Sequence, residues 1–119
     1  MPSFLTDEQQ FQSGPYKWNG TTWIRDTLPA TSTRSVVADS ASDVLLLAAN
    51  SSRIGASIQN DSSAVLYVGL GTATVTSTDY TVRMVANAYY EVPFGYNGQI
   101  RGIWATDPGD GAARVSELV

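Results

Sequence analysis

The chain of 119 residues contains no histidine and no cysteine, and Lys17 is its only lysine. Without imidazole or thiol groups, neither a Ser-His-Asp nor a Cys-His catalytic centre can be built. The same absence argues strongly against zinc, whose protein ligands are mainly Cys and His, and it leaves packing alone to stabilise the fold, since no disulfide can form. A Ser-Lys centre would depend on Lys17, which lies beside a predicted hairpin turn, where a desolvated base is not expected.

Charge is also scarce, and its balance is acidic. Charged residues make up 15% of the chain and the net charge is -4, whereas globular domains typically contain about 25% charged residues. Nucleic-acid binding requires a basic footprint, so we expect no nucleic-acid partner, and the same argument applies to anionic lipid. No run approaches the roughly 20 apolar residues of a membrane helix. The first residues show no signal-peptide pattern, so we expect synthesis in a cytoplasm and no membrane partner.

The length fits a single modest domain, within which two segments differ in composition. Residues 1–33 are predicted to form an attachment segment, with an N-terminal arm and a tryptophan hairpin. Residues 34–119 are predicted to form a β-sandwich domain.

The first 14 residues contain a capping-box pattern, Thr6-Asp7-Glu8-Gln9, which favours a short helix ended by Gly14-Pro15. Phe4, Leu5 and Phe11 are large apolar residues in a segment too short to bury them by itself. We therefore expect them either to fold back on their own domain or to anchor an arm on a neighbouring protein.

The next segment predicts a β-hairpin. Asn19-Gly20 accepts the positive φ angles of a type I′ turn, and aromatic-rich runs flank it. Trp18 and Trp23 stand on either side of the turn and can pair across the strands. They form either a contact surface for a partner or a clasp against the main body.

The sequence from Arg53 to Trp104 alternates apolar and polar residues between turn signals about eight to twelve residues apart, as in a β-sandwich or barrel. The apolar run at 43–49 is either a strand or a short helix, and its length favours a strand, whereas 26–43 reads as a connector with at most a short strand at 36–38. Asn60 is predicted in a turn, and Asn97-Gly98 predicts a second hairpin. With short, hairpin-like connections, about seven or eight strands should form a small antiparallel β-sandwich of jelly-roll type or a barrel-like variant.

Few other residues could form a catalytic or metal-binding site. A glycosidase needs two carboxylates across a cleft, but most acidic residues fall in predicted turns, where Asp favours local hydrogen bonds, and Glu91 reads as an edge residue or a partner of Arg83 or Arg101. The segment 107–111 could present oxygens to calcium but lacks the later ligands of the calcium loop.

A sugar-binding platform of aromatic rings is a further alternative. We predict no catalytic, cofactor or metal site. The acidic candidates are Asp39, Asp43, Asp61, Asp79, Glu91, Asp107, Asp110 and Glu117, and the aromatic ones are Trp18, Trp23, Tyr89, Tyr90, Tyr96 and Trp104.

More than half of the chain resembles a module of small structural proteins in tailed bacteriophages. The residues that carry the resemblance are Arg53-x-x-x-x-Ile58-x-Asn60, Leu66-Tyr67-Val68-Gly69-Leu70-Gly71, Tyr89-Tyr90-Glu91-Val92-Pro93, Gly98-x-Ile100-x-Gly102-Ile103-Trp104 and Ala113-Arg114-Val115-Ser116-Glu117. The hairpin sequence Tyr16-x-Trp18-Asn19-Gly20-Thr21-Thr22-Trp23 is similar to short segments of phage tail and fibre proteins.

The resemblance implies a non-enzymatic virion protein, with a capsid decoration (cement) protein on the outside of the head as the leading expectation. Its partners would be the major capsid protein or other virion proteins, and a homotrimer is the expected assembly. A tail-tip, baseplate or fibre-anchoring component, or a carbohydrate-binding module that contacts the host surface, are the alternatives. Phe4, Leu5, Phe11, Trp18 and Trp23 are the predicted partner-binding residues.

Overall fold

The computed structural model describes residues 16–18, 23–25 and 31–119, and within these ranges all regular structure is β-strand. In the same ranges, no helix has the length and apolar character needed to cross a membrane. The strands are β1 (Tyr16–Trp18), β2 (Trp23–Arg25), β3 (Ser32–Ala38), β4 (Val44–Leu47), β5 (Gly55–Asp61), β6 (Leu66–Leu70), β7 (Val82–Met84), β8 (Tyr89–Glu91), β9 (Ile100–Trp104) and β10 (Ala112–Leu118).

Eight strands form two four-stranded sheets packed face to face. The first sheet has the order β3-β10-β5-β8 and the second the order β4-β9-β6-β7, and every pairing is antiparallel. Strands that follow one another in the chain lie in opposite sheets, except for β6 and β7. This alternation is the strand order of an eight-stranded jelly roll, and it confirms the predicted small antiparallel β-sandwich.

The core lies between the two sheets and is built from one face of each strand. Along β5, the alternation expected from the sequence is confirmed, since Ala56 and Ile58 are buried and Gln59 is exposed. Full burial of a large aliphatic side chain stabilises the folded state by roughly 1.5–3 kcal/mol. The largest fully buried side chains are Trp104, Ile58, Leu66, Met84, Ile100, Val68, Val75 and Val115.

The predicted hairpin connections are wrong for most of the sandwich. Asn97-Gly98 does not join two paired strands, because β8 lies in the first sheet and β9 in the second. Gly98 instead lies under the Tyr96 ring, and a Cβ there would come within 2.5 Å of Tyr96 Oη. Turn residues mark where a chain reverses. They do not reveal whether the next strand pairs with the last one or crosses to the other sheet.

Two further boundaries differ from the sequence-based prediction. β3 is a seven-residue strand that pairs with β10 along its whole length, where the sequence predicted a connector with a short strand. Its Ser/Thr-rich composition hides it, because its side chains are mostly exposed on both faces. Asn60 was predicted in a turn, but it lies inside β5 and is fully buried.

The predicted tryptophan hairpin is confirmed at the level of the backbone. β1 and β2 pair antiparallel with Trp18 opposite Trp23 and Tyr16 opposite Arg25. They form a two-stranded sheet of their own, outside the strand order of either sandwich sheet.

Candidate interaction surfaces

Most of the acidic residues considered as catalytic candidates serve the fold. Asp39 accepts a hydrogen bond from the Gly111 N–H at 3.0 Å, and Asp107 accepts one from the Gly109 N–H at 3.1 Å. Asp61 pairs with Arg114 at 2.7 Å on the surface. The Asp107 bond is local, to a residue two positions further along the chain, as is usual for Asp in a turn. Among the residues that the structure describes, no three His, Cys, Asp or Glu side chains come together in a group that could hold a metal ion.

Asp43 joins the second sheet to the loop between β6 and β7. Arg101 Nε donates to Asp43 Oδ2 at 2.7 Å, and the Val75 N–H donates to Oδ1 at 3.1 Å. Burial by itself would raise the pKa of this carboxyl group, but the hydrogen bonds from Arg101 and Val75 and the arginine charge outweigh it and hold the pKa below its ordinary value of 3.8. Asp43 is thus a structural anion.

Glu117 is paired with a buried arginine. Arg53 is 3% exposed, and its Nε donates to Glu117 Oε2 at 2.8 Å. The other guanidinium nitrogens donate to backbone carbonyls, with Nη1 2.7 Å from Gly98 O and Nη2 bonded to Ala48 O. All three guanidinium nitrogens are occupied by structural partners, so Arg53 ties three parts of the chain together at one end of the sandwich.

A neutral polar hub occupies the other end of β5. Asn60 Nδ2 lies within 2.8–3.1 Å of the carbonyl oxygens of Ala64, Met84 and Val85. Its Oδ1 accepts hydrogen bonds from Trp104 Nε1 at 3.1 Å and from the Ser62 hydroxyl at 2.7 Å. The Asn60 side chain therefore connects both sheets and satisfies the indole N–H of the largest core residue.

A sugar platform was the alternative interpretation of the aromatic residues, and those within residues 31–119 do not form a shared exposed surface. Trp104 is 1% exposed, and the Tyr96 hydroxyl donates to Gln99 O at 2.7 Å. Tyr90 faces the core, and burial raises the pKa of its hydroxyl. Among the four aromatic candidates within residues 31–119, Tyr89 is the largely exposed one, at 65%.

A shallow groove of about 400 Å³ runs across the outer face of the first sheet beside β8. Tyr89 and Phe94 line it, and Phe94 is 83% exposed. Between these rings lie small or polar residues, including Ser57 and Ser116, and the Glu91 carboxylate. Sequence reasoning missed this groove, since Phe94 follows the end of a strand and stands outside the alternation that marks a face.

The outer face of the second sheet is partly covered by the chain itself. The loop between β6 and β7 folds back so that Val75 is 2% exposed. A Cβ at Gly69 would lie only 2.6 Å from Val75 Cγ2, so glycine at this position makes room for the valine. The rings of Tyr67 and Tyr80 pack beside them with centroids 4.9 Å apart.

The predicted partner-binding residues fall largely outside the described part of the chain. Phe4, Leu5 and Phe11 lie outside the described residues, as does the predicted capping box. Trp18 and Trp23 are placed opposite one another by the backbone pairing of β1 and β2. The boundary between residues 33 and 34 likewise remains a prediction, and β3 begins at Ser32.

Sequence reasoning also missed the structural importance of Arg53 and Asn60, although both stand in the motif that carries the phage resemblance. A polar residue inside an alternating pattern is the available signal, since a buried polar group requires partners. Comparisons of the chain with protein-family models, with curated proteins and with solved structures found no match.

Proposed function

We propose that this protein is a non-enzymatic structural component of a tailed-phage virion, attached to the outside of the head as a capsid decoration protein. The observation that carries the structural role is the hairpin. β1 and β2 pair with each other and stand outside both sandwich sheets. A lone two-stranded hairpin is at best marginally stable in water, so its aromatic-rich strands need a surface to lie on.

The hydrogen bonds of the buried and half-buried polar side chains support a structural role over a catalytic one. Arg53, Asp43 and Asn60 are each engaged by hydrogen bonds within the fold. A catalytic acid or base would instead have to reach a substrate. The sandwich thus offers a rigid body, and residues 1–33 offer the means of attachment.

The phage assignment itself comes from the sequence resemblance. In this role the protein would bridge neighbouring shell subunits and add buried area across contacts that internal pressure tends to open. A contact of standard size buries about 1,600 Å². Many identical contacts on one shell act together, so a modest affinity for each site gives a durable coat.

The attachment can be tested by co-sedimentation with heads that lack the protein. Removal of residues 1–14, or replacement of Trp18 and Trp23 by alanine, should abolish incorporation while the circular dichroism spectrum of the sandwich is retained. Phe94→Ala is the matched control, because it removes an exposed aromatic side chain outside the attachment segment and should leave incorporation unchanged. Full incorporation of the truncated protein would refute the attachment role of the segment.

A tail-tip, baseplate or fibre-anchoring role is the alternative within the virion, and the number of copies in each particle separates it from a shell role. Carbohydrate binding is favoured by one observation, the groove with Tyr89, Phe94 and Glu91. A glycan array with the wild type and a Tyr89→Ala/Phe94→Ala variant would reveal it, since aromatic rings that stack on sugars would be lost.

A further inference from the structure

β3 is an edge strand, and no strand in the described part of the chain pairs with its free side. It pairs with β10 on one side and is the outermost strand of the first sheet. Its seven residues pair with β10 in continuous register, without a bulge. It contains no proline, and Arg34 is its only charged residue. Natural proteins usually protect such an edge with charge, proline, bulges or a covering segment, because unpaired backbone groups attract another strand.

The hydrogen-bond phase shows which residues face the open side. Thr31 and Val119 exchange both backbone hydrogen bonds, with Thr31 N 3.1 Å from Val119 O and Val119 N 3.0 Å from Thr31 O. In an antiparallel pair, the residues that exchange such bonds alternate along the strand. The odd-numbered residues of β3 therefore bond to β10. The even-numbered residues direct their N–H and C=O groups to the free edge, and these are Ser32, Arg34, Val36 and Ala38.

The side chains on the inner flank of the same strand are also largely exposed. Thr33 and Ser35 point toward the second sheet but remain exposed, and Val36 on the opposite face is 61% exposed. β3 thus combines a free edge with side chains that are mostly exposed on both faces, and Arg34 is the only long one among them.

We propose that β3 pairs antiparallel with β3 of a second copy of this chain about a two-fold axis through Ser35, which joins the two first sheets into one eight-stranded sheet. The inference goes beyond the proposed function and does not depend on a virion role. Two-fold contacts use the same surface on both partners, so a second copy matches this edge in length and in phase.

One register satisfies all the free backbone groups and separates the charges. With Ser35 opposite Ser35, the outward residues pair as Ser32 with Ala38 and Arg34 with Val36, and each copy uses its four N–H and four C=O groups. If the two-fold axis lay one residue closer to the N-terminus, at Arg34, the two Arg34 side chains would lie opposite one another. Like charges directly opposite one another are destabilising. Charge repulsion therefore favours the register centred on Ser35 over the register centred on Arg34.

Cysteine trapping tests the register directly, since the chain has no cysteine of its own. Ser35 would face its copy as a non-hydrogen-bonded pair with Cα atoms about 4.5 Å apart, within the range that a disulfide spans. Mild oxidation of Ser35→Cys should give a covalent dimer of twice 12.7 kDa on a non-reducing gel. Thr33→Cys is the matched control, since it is exposed on the same face but would lie opposite Val37, and it should stay monomeric on the gel.

A charge series at Val36 gives an independent readout by sedimentation equilibrium. Val36→Lys places two lysines opposite the two Arg34 residues and should weaken self-association at least tenfold. Val36→Glu places carboxylates there and should retain or strengthen it. Val36→Pro removes only an outward N–H and should abolish association with the circular dichroism spectrum unchanged, as proline is tolerated at a free edge.

The proposal is overturned if Ser35→Cys cross-links no better than Thr33→Cys. It is also overturned if the wild type does not self-associate in sedimentation equilibrium, or if the Val36 variants leave its self-association unchanged. A trimer held by other surfaces would not obscure the result, because the gel reports only pairs joined at Ser35. Since incorporation into heads is a separate measurement, failure of this pairing would leave the proposed function standing, and the reverse also holds.

Discussion

The two ends of β5 stabilise the sandwich in different ways. At the first end, Arg53 is a buried cation held by Glu117 and by backbone carbonyls. At the other end, Asn60 is a neutral amide held by carbonyls, a hydroxyl and the Trp104 indole. An ionic anchor, Arg53, therefore lies just before β5, and an uncharged anchor, Asn60, lies near the end of that strand, so the two can be perturbed separately.

The comparison shows that burial imposes the same demand on both groups. Each has a partner for its polar atoms, because a buried polar atom without a hydrogen bond costs about 1–3 kcal/mol. They differ in what happens when the partners are lost. A charge left alone in the interior is far more costly than an amide, so the ionic end should be the more sensitive of the two.

Loss of the Arg53 guanidinium should have the largest effect. Arg53→Met keeps much of the apolar length but leaves Glu117 and two carbonyls without their donor. Breaking a buried ion pair by removing one partner costs about 3–5 kcal/mol. Urea denaturation monitored by tryptophan fluorescence would measure it. A loss below about 1 kcal/mol would contradict the anchoring role.

Loss of the Asn60 amide should have the next largest effect. Asn60→Leu removes the donor to three carbonyls and the acceptor for Trp104 Nε1. The expected loss of unfolding free energy is about 2–3 kcal/mol, from buried groups left unsatisfied. Gln59→Ala is the control, since Gln59 is the exposed neighbour in the same strand and should change stability by less than about 0.5 kcal/mol. If Asn60→Leu and Gln59→Ala lowered the unfolding free energy equally, the stabilising role of the Asn60 side chain would be refuted.

A milder change at the ionic end sharpens the comparison. Glu117→Gln removes the carboxylate charge and retains an oxygen that can accept from Arg53, while the carbonyl contacts of Arg53 remain. The expected loss is about 1.5–2 kcal/mol, at the lower end of the range for hydrogen bonds to charged groups. Glu91→Gln, in the exposed groove, should leave stability unchanged in the same denaturation experiment. An effect as large as that of Arg53→Met would show that the carbonyl contacts contribute little.

The smallest effect concerns acid sensitivity at Asp43. The pKa of Asp43 is depressed in the folded state by Arg101 and Val75 against the opposing effect of burial. A carboxyl group with a depressed folded pKa stabilises the protein fully above its unfolded value. Its contribution is lost as the pH falls below about 4, through the unfolded pKa and toward the folded one. In denaturation curves across pH 2–7, Asp43→Asn should flatten this acid decline, and an unchanged decline would contradict the assignment.

The sequence predicted the fold class and several strands because their side chains alternate over a buried face. Along β10, for example, Ala113 and Val115 are buried and Arg114 between them is exposed. β3 was missed because neither of its faces is well buried, and alternation is visible only where a core forces it. The exchange of strands between sheets was also missed, because turn chemistry is the same for hairpins and crossovers.

For the candidate surfaces, less could be predicted. The Trp18/Trp23 pairing followed from Asn-Gly turn geometry, which acts over a few residues. The Tyr89/Phe94 groove and the open edge of β3 depend on strands distant in sequence, such as β5 and β10, coming together. The partners of Arg53 are up to 64 residues away, and a single sequence carries no local signal for such contacts.

The proposed role of this chain is to coat the head of a virion through its N-terminal segment. Counting its copies relative to the major capsid protein, by quantitative mass spectrometry of purified particles of the virus that encodes it, tests this most directly. The account predicts a fixed ratio at which copies number in proportion to the shell subunits. A few copies per particle that separate with isolated tails, or absence from the particle, would contradict it.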